Sequence, residues 1–328
     1  MTADTMSTTA REPEYGARRL IHRPTSWEHY LLDAPGSGEE HFVLAGSLPA
    51  GHPLPDGGPG RFHEPQHLAG ELREIGEFVA HQYFGVPRER LGAFSRLVLA
   101  VTDVAAWRVV GPRPPRVTTC LAVRPRPAAG RVPRGLGFDV EVSVGDVPGC
   151  TGEGELLFPA PAQQRGRIAY GRRAVRAARA REAAPEDAVL PVAPGEVGRR
   201  SPAAVLLGEP ALSAQGRLTT WVLPRAGWPA ADAPGDGAAD GLLLEALRQA
   251  SVLTAGRAFG YDAALALVAD WDVRFRGPAQ AGPPVRCVAV PGLLDKDADG
   301  RPSVPVTLTL TQRQRTVAQA RTRVVQDL

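Results

Sequence analysis

Lysine is almost missing from this chain: Lys296 stands alone among 38 basic residues, and the rest are arginine. The net charge is only +3, and the arginines are scattered rather than striped. The basic patch and reading motif that nucleic-acid recognition needs are therefore absent, and no nucleic-acid partner is expected. Cysteine is scarce as well. Cys120, Cys150 and Cys287 are an odd set without close spacing, which excludes a disulfide framework and a cysteine-rich zinc site and fits a reducing, cytoplasmic setting. No run approaches the roughly 18 apolar residues of a membrane span, and residues 1–14 lack the apolar segment of a secretion signal, so no membrane association is expected. Histidine is absent beyond His81: His22, His29, His41, His52, His63, His67 and His81 all lie early in the chain. Any imidazole chemistry must come from the first part. A glycine-rich phosphate loop and a nucleophile elbow are also missing, and no cofactor is expected.

What the chain does have is a repeat. Residues 20–85 return, much diverged, as residues 196–260, about 175 positions downstream. The strongest overlap sets Leu68-Ala69-Gly70-Glu71-Leu72-Arg73-Glu74 against Leu243-Leu244-Glu245-Ala246-Leu247-Arg248-Gln249, with Phe84-Gly85 against Phe259-Gly260. A weaker echo sets His22-Arg23 against Gly198-Arg199. A period this long marks two domain-sized units rather than a solenoid, and the 328 residues supply two cores of ordinary size. The expected division is a disordered tail at 1–17, a first repeat at 18–175, a linker at 176–194 and a second repeat at 195–328.

Each unit reads as strands, a helix, then an antiparallel series. In the first, strands are expected near 27–32 and 41–47, then a Pro/Gly loop at 51–60. Leu68, Leu72, Ile75, Val79 and Tyr83 recur at helical spacing up to Gly85 and Pro87. Strands follow at 97–110, 116–123, 137–144 and 167–175. In the second unit, strands are expected at 204–207 and 217–223, a loop at 227–241, a helix at 242–259, and strands at 264–275, 285–290, 304–311 and 315–325. The second helix is apolar almost all round, so a curved sheet must wrap it. The implied fold is α+β: a double hotdog, each repeat a curved antiparallel sheet around a long central helix, paired as an intrachain pseudo-dimer.

These residues resemble the A-factor synthase (AfsA-like) family of actinomycetes. The resemblance rests on His22-Arg23, Gly51-His52-Pro53 and His63-Glu64-Pro65 leading into a helix with Arg73, and on Leu243 to Gln249, close to the family's Leu-Leu-Glu-Ala-x-Arg-Gln. It covers roughly residues 18–328. It implies an acyltransferase that joins a β-ketoacyl thioester, on carrier protein or coenzyme A, to dihydroxyacetone phosphate, giving the precursor of a γ-butyrolactone signal. The chain departs from the family pattern at Gly70, where the first helix usually carries Glu, at Glu74 for Gln, and at Asp236-Gly237 and Ala239-Asp240 before the second helix.

Glu245, Arg248 and Gln249 stand at i, i+3 and i+4, on one face of a helix amid leucines. In such surroundings a carboxylate's charged form is disfavoured, which suits Glu245 to acid–base work, with Arg248 holding phosphate or an oxyanion. The alternative is a surface ion pair. His63 joins Glu245 and Arg248 as the candidate catalytic set, while Arg73, Gln249, His52 and Glu71 are candidate substrate-binding residues. In hotdog dehydratases, which the motifs also resemble, a loop histidine of one unit meets a helix acid of the other, so a dehydratase or thioesterase using His52 or His63 with Glu245 is a second reading. A degenerate acyl-thioester-binding protein without turnover is a third, and an oligomer remains compatible with all of them.

Two metal-like patterns are expected to be empty. His63-Glu64-Pro65-Gln66-His67 has zincin spacing, but Pro65 allows a helix only to start there. Asp295 to Gly300 copies the start of a calcium loop, yet Val306 stands where the bidentate Glu belongs, so a hairpin turn is expected.

Overall fold

Alternating inward and outward side chains build most of this molecule, and the computed structural model describes residues 19–22, 40–48, 60–111, 113–128, 130–160, 189–223, 238–279 and 284–327. In the first half lie β1 (Arg19–His22), β2 (Glu40–Ser47), α1 (Leu68–Tyr83), β3 (Ala93–Val101), β4 (Arg116–Ala128), β5 (Gly130–Val144) and β6 (Val147–Leu157). The second half holds β7 (Ala211–Leu212), β8 (Leu218–Val222), α2 (Ala238–Phe259), β9 (Ala266–Phe275), β10 (Val285–Pro291), β11 (Asp295–Lys296), β12 (Pro302–Gln312) and β13 (Arg315–Gln326).

The strands form one 13-stranded sheet in the order β1-β2-β4-β5-β6-β3-β9-β13-β12-β10-β8-β7, with β11 paired to β12. Each half supplies a contiguous block, and the antiparallel β3–β9 pairing welds the blocks together. Leu99 faces Trp271 across this seam and Leu97 faces Val273, all of them buried. Burying each such side chain is worth about 1.5–3 kcal/mol, so the seam belongs to the core and is not a loose domain contact. On its solvent side Arg96 reaches Glu153 at 2.6 Å and Asp272 at 3.4 Å, tying the blocks again.

The two helices fill the curved sheet. Helix α1 buries Leu68, Leu72, Ile75, Val79 and Tyr83. Gly76 lets it lie tight on β6, since a Cβ there would stand 2.2 Å from Leu156 Cδ1. Helix α2 is buried on every side from Leu242 to Ala255, as its all-round apolar sequence requires. The arrangement is a double hotdog.

Several elements differ from the sequence-based expectation. The strand expected to run to 110 ends at Val101, and a short 3-10 turn at Ala105–Trp107 follows. Residues 204–207 are not a strand: Ala204 and Leu206 spend backbone groups on the side chain of Gln249, and Leu207 makes an isolated bridge to Val222 while its carbonyl accepts the Val192 amide. Helix α2 begins at Ala238, four residues before the expected Leu242. The glycine-rich β6 was not anticipated. Its glycines serve close approach, for a Cβ at Gly152 would stand 2.4 Å from Val98 O and one at Gly154 2.3 Å from the Phe138 ring. The expected elements at 27–32 and 167–175, the tail, and most of the loops at 51–60 and 227–241 and of the linker lie outside the described residues. The Asp295 stretch is a hairpin turn in which Asp297 accepts the Arg301 and Asp299 amides and pairs with the Arg301 guanidinium.

Candidate functional site

Glu245, Arg248 and Gln249 occupy one face of α2, as their spacing dictates, and that face meets the start of the second half. A 3-10 turn at Pro194–Val197 ends at Gly198, whose φ of 64° lies in the left-handed region. A Cβ there would come within 2.9 Å of Ala263 O. The chain thereby turns Arg199 inward. A second short turn, Pro202–Ala204, is capped by Ser201 and delivers Ala204 and Leu206 to Gln249. Gln249 donates from Nε2 to Ala204 O at 2.7 Å and to Glu245 Oε1 at 2.6 Å, while its Oε1 accepts the Leu206 amide at 2.8 Å. It is a brace for Glu245 with both ends of its amide committed.

The first half contributes the segment that opens α1. Trp107, fully buried with its indole N–H on Gly149 O, anchors this segment, and the His63 amide donates to Trp107 O at 2.7 Å. Pro65 then starts the 3-10 turn Pro65–His67, which places Glu64, Gln66 and His67 against the α2 face.

Together these elements enclose a charge cluster. Arg199 donates from Nε and Nη2 to Glu245 at 2.9 and 2.6 Å, and from Nη1 and Nη2 to Glu64 at 2.7 and 2.8 Å. Arg248 donates from Nε and Nη2 to Glu245 at 3.0 and 3.1 Å, and again from Nη2 to Val197 O at 2.7 Å. Glu245 is 1% exposed, Arg199 4% and Arg248 5%. Two carboxylates balance two guanidiniums, which makes deep burial tolerable. Burial opposes the charge on Arg199, but Glu245 and Glu64 outweigh it and raise its pKa above the ordinary arginine value.

The sequence reading placed Glu245 among apolar neighbours that disfavour its charge; its nearest partners are instead two guanidiniums and an amide N–H, which support the carboxylate form. The surface-pair alternative fails on burial. Glu245, Arg248 and Gln249 come together here, whereas Glu71 stands in the first turn of α1 and His52 lies outside the described residues. His63 sits half-buried two positions before Pro65, and desolvation lowers its pKa below 6.5. Arg73 pairs with Glu77 at 3.1 Å on α1. Arg199, Glu64 and Gln66 were not anticipated as site members, although Arg199 was visible as the echo of His22-Arg23.

The zincin spacing does not assemble, because His63 and His67 do not share a helix. A different trio, Glu64, His67 and Glu245, brings one ligand atom each within 4.8 Å. Both of its carboxylates already hold guanidiniums, so a dication would add its charge to a buried cluster that is neutral without it. The trio does not suit a metal. What the arrangement offers is a rigid guanidinium: Nε and Nη2 of Arg248 are fixed by Glu245 and Val197, and its Nη1 makes no hydrogen bond among the described residues. Such a group can receive a phosphate or a developing oxyanion without reorganising.

Residues 180–326, which contain this α2 face and Arg199, match the family described as AfsA, A-factor biosynthesis hotdog domain. The second half of the chain is thus similar to A-factor biosynthesis hotdog domains. Solved structures of similar fold include the dehydratase-cyclase domain in ambruticin biosynthesis, at 18% identity over 91% of this chain and 93% of that one, with a TM-score of 0.41. The 12:0-ACP thioesterase of Umbellularia californica matches at 13% identity over 87% and 93%, TM-score 0.43. The acyl-CoA thioesterase II TesB2 of Mycobacterium marinum matches at 13% over 80% and 88%, TM-score 0.39. No curated protein matches the chain. Among the described residues, no helix is long and apolar enough to cross a membrane.

Proposed function

We propose that this protein is an acyltransferase that condenses a β-ketoacyl thioester, carried by coenzyme A or a carrier protein, with dihydroxyacetone phosphate. The observation that carries the reading is Arg248, locked by Glu245 in the domain that matches the A-factor biosynthesis family and keeping one guanidinium nitrogen uncommitted. In this reading Arg248 receives the acceptor's phosphate or the thioester oxyanion, and Glu245 with Arg199 holds it rigid. The acceptor hydroxyl oxygen bonds to the acyl carbon as the carbon–sulfur bond breaks, and the hydroxyl proton ends on the departing thiol. Carrying that proton falls to the first half's imidazoles: His63, which burial keeps neutral at neutral pH, or His67, whose Nε2 lies 3.3 Å from Glu64 Oε2.

Purified protein incubated with a β-ketoacyl thioester and dihydroxyacetone phosphate should release a phosphorylated β-ketoester, detected by its mass. His63→Ala and His67→Ala variants identify the proton carrier by which one lowers kcat. Hydrolysis or dehydration of the thioester without that ester would refute the reading.

A second reading has one observation in its favour. Both carboxylates of the cluster are saturated by donors, which suits a protein that binds acyl thioesters without turning them over. Glu245→Gln distinguishes the two, since a binder has affinity but no turnover to lose.

A further inference from the structure

Gln66 is 4% exposed, yet one end of its side-chain amide has a use and the other has none. Its Nε2 donates to Glu64 Oε2 at 2.9 Å and lies 3.5 Å from Glu245 Oε2. Exchanging oxygen and nitrogen would aim the amide oxygen at two carboxylates, so electrostatics fixes the orientation. Oε1 is thereby turned away from the acids, is itself buried, and has no hydrogen-bond partner. A buried acceptor in a native fold is normally satisfied, and this one belongs to a residue whose amide nitrogen is held by the same two carboxylates that pair with Arg199 and Arg248.

We propose that Gln66 is a substrate-binding residue whose Oε1 accepts the hydroxyl hydrogen of the alcohol acceptor. The assignment rests on the acyl-transfer reading above for the identity of the alcohol, and on the geometry alone for the recognition of a donor. The Nε2 contacts to Glu64 and Glu245 pre-orient the amide.

The test compares dihydroxyacetone phosphate with its deoxy analogue, in which hydrogen replaces the free hydroxyl, by calorimetric titration of wild type and Gln66→Met without any thioester. Wild type should prefer the hydroxyl compound by about tenfold or more, and the preference should fall below about threefold in the variant. Because both ligands keep the phosphate, a general disturbance of the cluster weakens both and leaves the ratio unchanged. An unchanged ratio overturns the proposal, as does wild type that binds neither compound or binds both equally. A rise in KM for the thioester alone also overturns it, by assigning Oε1 to the thioester arm. If Gln66→Met fails to fold, Gln66→Leu and the wild-type ratio carry the test. A Gln66-dependent preference without ester formation would sink the acyl-transfer reading and leave this one standing.

Discussion

Replacing Arg199 by methionine removes the charge that joins the two halves while keeping an unbranched side chain of similar length. In the native cluster two guanidiniums face two carboxylates; the variant leaves Glu64 and Glu245 with Arg248 alone, a net buried charge of one. Arg199 is 4% exposed and bonds both carboxylates at 2.6–2.9 Å, so solvent screens little of the loss. Breaking a buried pair by removing one partner costs about 3–5 kcal/mol. With a melting shift of about 2–4 °C per kcal/mol, Tm should fall by roughly 6–20 °C, and the urea midpoint should drop with an unchanged m value. Charge arithmetic supplies the stricter check. Glu64→Gln alone leaves an excess positive charge, whereas Arg199→Met with Glu64→Gln restores neutrality through the Glu245–Arg248 pair. The double variant should therefore lose less than the sum of the singles, with a coupling of about 1.5 kcal/mol or more. A Tm drop under about 2 °C, or additive singles, would mean that the cluster behaves like an exposed ion pair and would refute the argument.

Gly198→Ala should destabilise the fold by about 1–3 kcal/mol in chemical denaturation, because φ is 64° and the new Cβ would meet Ala263 O at 2.9 Å; an Arg199-dependent activity should fall with it. Burial pushes the Asp240 carboxyl up to about 6, against the pull of Arg73 and the Phe94 amide. A raised folded-state pKa costs nothing below about pH 4 and destabilises as pH rises through about 6, so Asp240→Asn should gain roughly 1–3 kcal/mol at pH 7–8 and nothing in acid, as melting curves across pH will show. Asp327 is opposite in sign: its hydrogen bonds from Arg108, with Arg61 adding, hold its carboxyl below the usual value. Its stabilisation is present above about pH 4 and lost as pH falls through the lowered pKa, so the deficit of Asp327→Asn against wild type should vanish in acid.

The helices and most strands were legible because local periodicity reports burial: Leu68 to Tyr83 repeats at helical spacing, and Val304 to Leu310 alternates. The glycine-rich β6 was not, since its glycines answer to Val98 and Phe138 across the sheet rather than to strand propensity. In the site, helical spacing and the Leu243 to Gln249 motif singled out Glu245 and Arg248, but their partners come from far away in sequence. Arg199 meets Glu64 across 135 residues, and nothing local to either position announces the other. That distance also explains the misjudged surroundings of Glu245: the leucines beside it in sequence implied desolvation, while the cations that support its charge are a neighbour one turn on and an arginine from another segment. The available signal was a glycine followed by arginine, in register with His22-Arg23, just ahead of a turn.

The duplication explains why the cluster is built only once among the described residues. In repeat register Gly70 stands where Glu245 does and Arg73 where Arg248 does. Arg73 keeps an acid from the other unit in its field, Asp240 at the start of α2, much as Arg248 has Glu64 from the start of α1. But Gly70 is exposed, nothing lies within 4 Å of where its Cβ would be, and no helix carboxylate binds Arg73 from that position. Arg73 turns to Glu77 one turn along α1, and Glu77 also accepts the Gly92 amide, so the pair fastens α1 to the strand that leads to the seam. One copy has spent its arginine on holding the fold together. The other keeps its arginine clamped by acids from both units, with one nitrogen that makes no hydrogen bond among the described residues, and that division of labour is what supports placing the proposed chemistry on the α2 face.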